Sequence, residues 1–206
     1  ADPDYYFGVE TLKDIFPQAD VVTTPDVLAK IKAKLAGKLA FWGPKMGTNA
    51  PRTPVLPRAL EGNTLALGGQ AIEIRGTQGP LAHRPYAWIP SIQAVVGNIG
   101  VFGGMHVWTA DTQTAAERAA WVAQLDEMAA LKPVLVVPGH MKAGTKVDAS
   151  TITFTRDYLQ TFEKNLAATK NSAELVKAMQ QAYPQVTDGA MSLDIGAKVN
   201  KGEMKW

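Results

Sequence analysis

Between Thr64 and Gly100 the chain carries four short β-favouring runs, TLALGG, QAIEIRG, YAWIPSI and QAVVGNIG, each broken by Gly, Pro or Asn. Runs this short with such punctuation form strands joined mostly antiparallel, and Ser91–Gln93 has the character of a hairpin turn. On both sides the apolar residues return at helical spacing. The resulting order is α, β, α, a block of strands, then α, β, α, α. It suggests strands sandwiched between helices on the outside.

The flanking elements follow from their stop and start signals. Phe7, Val9, Leu12, Ile15 and Phe16 predict a helix over about Tyr6–Phe16, closed by Pro17, with a short strand at Asp20–Thr23. Thr24 is placed to cap a second helix with Pro25 at its first position, carrying Val27, Leu28, Ile31, Leu35 and Leu39 inward and ending at Gly43-Pro44. Lys45–Gly62, rich in Pro, Gly, Thr and Asn, reads as a long loop of the kind that borders sites. Thr112 or Thr114 can cap a helix that closes at Lys132-Pro133. Val134–Val137 then reads as a strand buried on both faces, with His140 just past its end. Helices follow over DASTITF onward and from Ser172, and Thr187–Trp206 is expected to hold one more short helix.

A length of 206 residues suits one domain spanning residues 1–206. Twenty-one basic against nineteen acidic side chains, spread along the chain, give no footprint for nucleic acid. No apolar run reaches the ~20 residues of a spanning helix, so no membrane partner is expected. The absence of cysteine removes thiolate metal sites and leaves His, Asp and Glu as possible ligands. Nothing in the first residues decides between periplasm and cytoplasm.

The opening segment ADPDYYFG sets two carboxylates, Asp2 and Asp4, on either side of Pro3 just ahead of a helix. They either lean toward one point as ligands or cap the helix and meet its dipole. Asp4-Tyr5-Tyr6-Phe7-Gly8-Val9-Glu10, Val96-Gly97-Asn98 and Val137-Pro138-Gly139-His140 together resemble motifs of the metallo-β-lactamase superfamily, the four-layer αββα sandwich hydrolases. The resemblance runs over most of the chain. It puts Asp4 on the aspartate of the family's H-x-H-x-D-H loop, Gly8 on its helix-start glycine and His140 on the histidine of its C-terminal turn. It also puts Asp2 and Tyr5 where two histidines belong, Asn98 in place of the bridging aspartate, and Pro80 near another metal histidine. The family's first strands precede this motif, so the resemblance implies an α/β fold of this type that is N-terminally incomplete. An open sheet face and edge would then be covered by another chain or a further segment.

What the resemblance implies for chemistry is an altered metal set. Asp2, Asp4 and His140 would hold a single divalent zinc, manganese or iron ion, or no metal would bind. Asp4, Tyr5 and His106 are the candidate catalytic residues, and His83, Asn98 and Trp108 the candidate substrate contacts. Two functions stand at this point. One is hydrolysis of a small ester, lactone or lactam. The other is non-catalytic binding of a small ligand or a partner chain on a fold that has lost its metal centre. Tyr5, Tyr6, Phe7, Trp42, Tyr86, Trp88 and Trp108 could line an apolar pocket or belong to the core. Ser91 and Ser150 lack the neighbours of a serine nucleophile, and GNIGVFGG does not fit a phosphate-binding loop.

Overall fold

A computed structural model describes all residues from Ala1 to Trp206. Its centre is a five-stranded sheet in the order β3 (Thr64–Leu67), β4 (Gln70–Arg75), β5 (Tyr86–Ile89), β6 (Ala94–Val96), β8 (Leu135–Val137). The first four strands run antiparallel, as their short connections demand, and β8 joins β6 in parallel. A parallel neighbour needs a long crossover, and α3 (Ala115–Ala130) provides it. Thr114 starts α3 with a full capping box to Glu117. The expected turn at Ser91–Gln93 is a single helical turn, Pro90–Ile92, with Gln93 in the left-handed region.

Period-two alternation separates the sheet faces. Tyr86, Trp88, Val95 and Val136 point inward onto Trp121, Leu125 and Met128 of α3 and, from α4 (Ser150–Ala168), Ile152, Tyr158, Leu159 and Phe162. Next to α4 stands α5 (Ser172–Ala182), and α6 (Ala190–Asn200) closes the layer. On the opposite face, register aligns Ile74, Ala87, Val96 and Val137 across four strands, with Leu65 opposite Ile72. These residues are only partly buried or exposed. The expectation that Val134–Val137 is buried on both faces is corrected. β8 lies at the sheet edge, where Val136 is sealed but Val134 is 69% exposed.

The N-terminal part differs from expectation in three places. Pro3–Tyr5 form a 3-10 turn before α1 (Val9–Ile15), and Asp2, at its cap position, makes no side-chain cap bond. Phe7 and Val9 pack inward, whereas Leu12, Ile15 and Phe16 face outward. Helix α2 (Pro25–Met46) runs through Gly43-Pro44 instead of stopping there. Pro44 falls in its last turn, where its missing N–H forfeits one bond, and the Lys45 ammonium donates to the Phe41 carbonyl at 2.8 Å. Thr24 occupies the cap position of α2, but its hydroxyl makes no cap bond and is buried without a partner.

Two short parallel pairs complete the fold. β1 (Val22–Thr23) pairs with β2 (Arg58–Ala59) inside the segment expected to be loop. β7 (Phe102–Gly103) pairs with β9 (His140–Met141), which fixes the turn carrying His140.

Candidate ligand-binding cleft

The β7–β9 pair, the Pro3–Tyr5 turn, α2 and the C-terminal residues meet around a cleft of about 270 Å³. Its walls include Asp4, Lys38, Trp108, Asp111, His140 and Trp206. Distant parts of the chain therefore supply it, and the polar contacts between them explain its shape.

Asp111 is the hub. Its carboxylate accepts from Lys38 Nζ at 3.0 and 3.1 Å, from Trp108 Nε1 at 2.8 Å and from Trp206 Nε1 at 2.9 Å. Burial pushes this carboxyl up, but the charges of Lys38 and Arg84 and the bonds from Trp108 and Lys38 prevail and hold it at about 2. The same bonds orient the aromatic wall. Trp108 and Trp206 meet edge to face with centroids 5.2 Å apart, and Trp42 stands 6.3 and 6.4 Å from them. Lys38 Nζ also lies 4.2 Å from the Trp206 ring centre, a cation–π contact inside the wall.

Across the cleft His140 is engaged at both ring nitrogens. Nε2 lies 2.7 Å from Asp4 Oδ2, and Nδ1 lies 3.3 Å from the Tyr5 hydroxyl oxygen. The imidazole stacks on Phe102 at 5.2 Å with planes 10° apart. Burial raises the Asp4 carboxyl, and the bond and charge of His140 outweigh it, leaving Asp4 below the ordinary carboxylate range. Burial and then the carboxylates of Asp4 and Asp2 push the Tyr5 phenol well above its usual range, so it stays a donor. Gly139 permits this contact, because a Cβ there would stand 2.1 Å from both the Asn98 carbonyl oxygen and the Tyr5 hydroxyl.

Asp2 lines the same cleft without bonding to this pair. It is 7% exposed, and its Oδ1 faces Arg84 at 3.6 Å. Arg84 is itself 3% exposed, lies over the Trp121 ring, and has no hydrogen bond at either terminal nitrogen. The structure thus brings Asp4, Tyr5 and His140 together, while Asp2 lines the same cleft but faces Arg84. No three His, Asp or Glu side chains are grouped to hold a metal ion. With His140 satisfied on both sides and Asp2 facing a guanidinium, the residues present do not fit a metal ion.

The other candidates divide. Trp108 is in the cleft. His106 is buried in the core, where its Nδ1 meets the Tyr158 hydroxyl at 2.9 Å, and burial lowers its proton affinity. His83 is half-buried away from the cleft, and burial with the charges of Lys30 and Arg84 lowers it to about 4. Asn98 adopts a left-handed backbone, accepts from the Ile99 N–H at 2.7 Å, and borders a second cleft instead. Sequence reasoning missed Lys38, Arg84, Asp111 and Trp206. Only the Trp108-x-x-Asp111 spacing, which lets an indole reach a carboxylate three residues on, could have pointed to the hub.

No family model and no curated protein matches the chain. Among solved structures, a metallo-β-lactamase family protein from Thermus thermophilus superposes with a TM-score of 0.55 and 13% identity over 90% of this chain and 65% of that one. A metallo-β-lactamase from Pontibacter korlensis gives a TM-score of 0.48 and 19% identity over 77% of this chain. This chain spans 65% of the length of each. The mixed α/β order, the helix-covered sheet and the likeness to the Thermus protein together show that the chain has the metallo-β-lactamase fold, in a divergent form.

Proposed function

We propose that the chain is a small-ligand-binding protein of metallo-β-lactamase fold, in which an aromatic cleft serves in place of a metal centre. The observation carrying this reading is that His140 is held by Asp4 and Tyr5 while Asp2 faces Arg84. A histidine engaged at both ring nitrogens does not wait for a metal, whereas three indoles beside an open volume remain available to an apolar body. Metal-dependent hydrolysis of an ester, lactone or lactam would need these contacts broken and three donors converged on one point. The binding reading needs no rearrangement.

The test is titration with N-phenyl-1-naphthylamine, a neutral apolar probe, in the presence of chelator. Saturable binding of one probe per chain, seen as energy transfer from the tryptophans, is expected, with affinity falling about tenfold in Trp108→Leu. Absence of saturable binding, together with ester or lactone hydrolysis that appears on adding zinc, would replace this reading with the hydrolase.

A further inference from the structure

Lys38 and Trp206 border a further, smaller cleft of about 200 Å³, whose other walls are Lys34, Gly37, Phe41 and Lys205. We infer that it is a binding site in its own right, for a small organic anion: an aromatic body bearing one anionic group. The residues from α2 recur at three- and four-residue spacing and so share one face of the helix. Gly37 stands in the middle of that face. A Cβ added there would meet no atom within 4 Å, so the glycine leaves the floor of the recess open. Phe41 and Trp206 meet edge to face with centroids 4.7 Å apart and give the recess its aromatic sides.

The charges set the sign of the ligand. No acidic side chain lines this cleft. Lys38 is spent on Asp111 at 3.0 Å, whereas the half-buried Lys34 and the exposed Lys205 make no ion pair and no hydrogen bond. The terminal carboxylate of Trp206 pairs with neither of them, and the carbonyl oxygen of that residue accepts from Gln113 Nε2 at 3.5 Å. Three lysines against Asp111 and this carboxylate leave one positive charge in excess. The aromatic sides carry the same sign. Lys38 Nζ lies 4.2 Å from the Trp206 ring centre and Lys45 Nζ 3.6 Å from that of Phe41, so ammonium groups already cover a negative face of each ring and leave its positive edge to offer. A cation would be repelled by Lys34 and Lys205, and a neutral body would leave both charges unused. An anion meets both, in a recess that focuses their field, while its ring fills the space that Gly37 leaves.

The experiment titrates naphthalene-1-sulfonate and its uncharged counterpart 1-naphthalenemethanol into the protein by calorimetry at low salt. The sulfonate should bind saturably and at least about tenfold more tightly than the alcohol, the gain that two partly exposed ammonium groups supply. In Lys34→Gln and in Lys205→Gln that ratio should fall to about threefold or below, and added salt should lower it in the unaltered protein. Gly37→Leu favours the helix and fills the recess, so it should abolish sulfonate binding without lowering the melting temperature. Equal affinity of the two compounds, no saturable binding of the sulfonate, an unchanged ratio in either lysine variant, or undiminished sulfonate binding in Gly37→Leu each overturns the assignment. The titration uses no probe in the first cleft, so its outcome is independent of whether N-phenyl-1-naphthylamine binds there.

Discussion

Two clefts of nearly equal volume, about 270 and 280 Å³, lie on this molecule, and they are built differently. The first gathers three aspartates, a lysine, a histidine and three tryptophans from both ends of the chain. The second lies against the outward sheet face, lined by Leu65, Ile74, Ala87 and Val96 with Thr24 and Asn98 as its main polar members. Space alone does not distinguish them. In the first, each carboxylate has a partner, and those of Asp111 fix an aromatic wall. In the second, the buried Thr24 hydroxyl has none. A site is recognised by polar groups that are organised, and the second cleft is the open side of a sheet whose inner face alone is packed.

The largest expected effect is at the hub. Asp111→Ala leaves the buried Lys38 ammonium without its carboxylate and two indole N–H groups without an acceptor. Breaking such a pair costs about 3 kcal/mol, and denaturant unfolding should show that loss together with loss of probe binding. Gly139→Ala comes next. Its Cβ overlaps the Asn98 carbonyl and the Tyr5 hydroxyl, so a destabilisation of about 2 kcal/mol and a changed His140 ring resonance are expected by NMR. At the second cleft the sign reverses. Thr24→Val removes an unpartnered buried hydroxyl and should raise stability by about 1 kcal/mol, read as a higher urea midpoint. Val96→Trp, which fills that cleft, should leave probe affinity at the first unchanged; a large drop would show that the probe chose the wrong cleft.

A separate effect is a pH dependence at His83. Its imidazole binds a proton near the ordinary 6.5 in the unfolded chain but only near about 4 when folded. The unfolded chain therefore holds more protons between those values. This contribution is complete above about pH 6.5 and is lost as pH falls toward about 4. His83→Gln should flatten that part of the stability profile in urea titrations, and an unaltered slope would move its origin elsewhere.

Much of the fold was legible because its signals are local. The strand block from Thr64 to Val96, a threonine cap at Thr112 or Thr114 and the turn before His140 are read from neighbours within a few residues. Pro44 misled because its cost depends on where in a helix it falls, and in the last turn it lets α2 continue to Met46. Site residues were legible only where they sat in a motif. Asp4 and His140 belong together, and their pairing at 2.7 Å joins residues 136 positions apart. Lys38, Asp111 and Trp206 each look ordinary in sequence, since no local pattern marks a contact between a helix middle, a loop and a C-terminal tryptophan. Asp2 shows the limit of placing residues by motif, because its environment is decided by Arg84, which no motif includes.

Zinc uptake tests the central claim most directly. Chelator-treated protein, equilibrated with excess zinc, dialysed and analysed for metal, should retain less than about a tenth of an equivalent per chain and show no thermal shift, because His140 and Asp2 are already engaged. One retained equivalent, lost in His140→Ala, would contradict the account and place a metal where the aromatic cleft is assigned the work of binding.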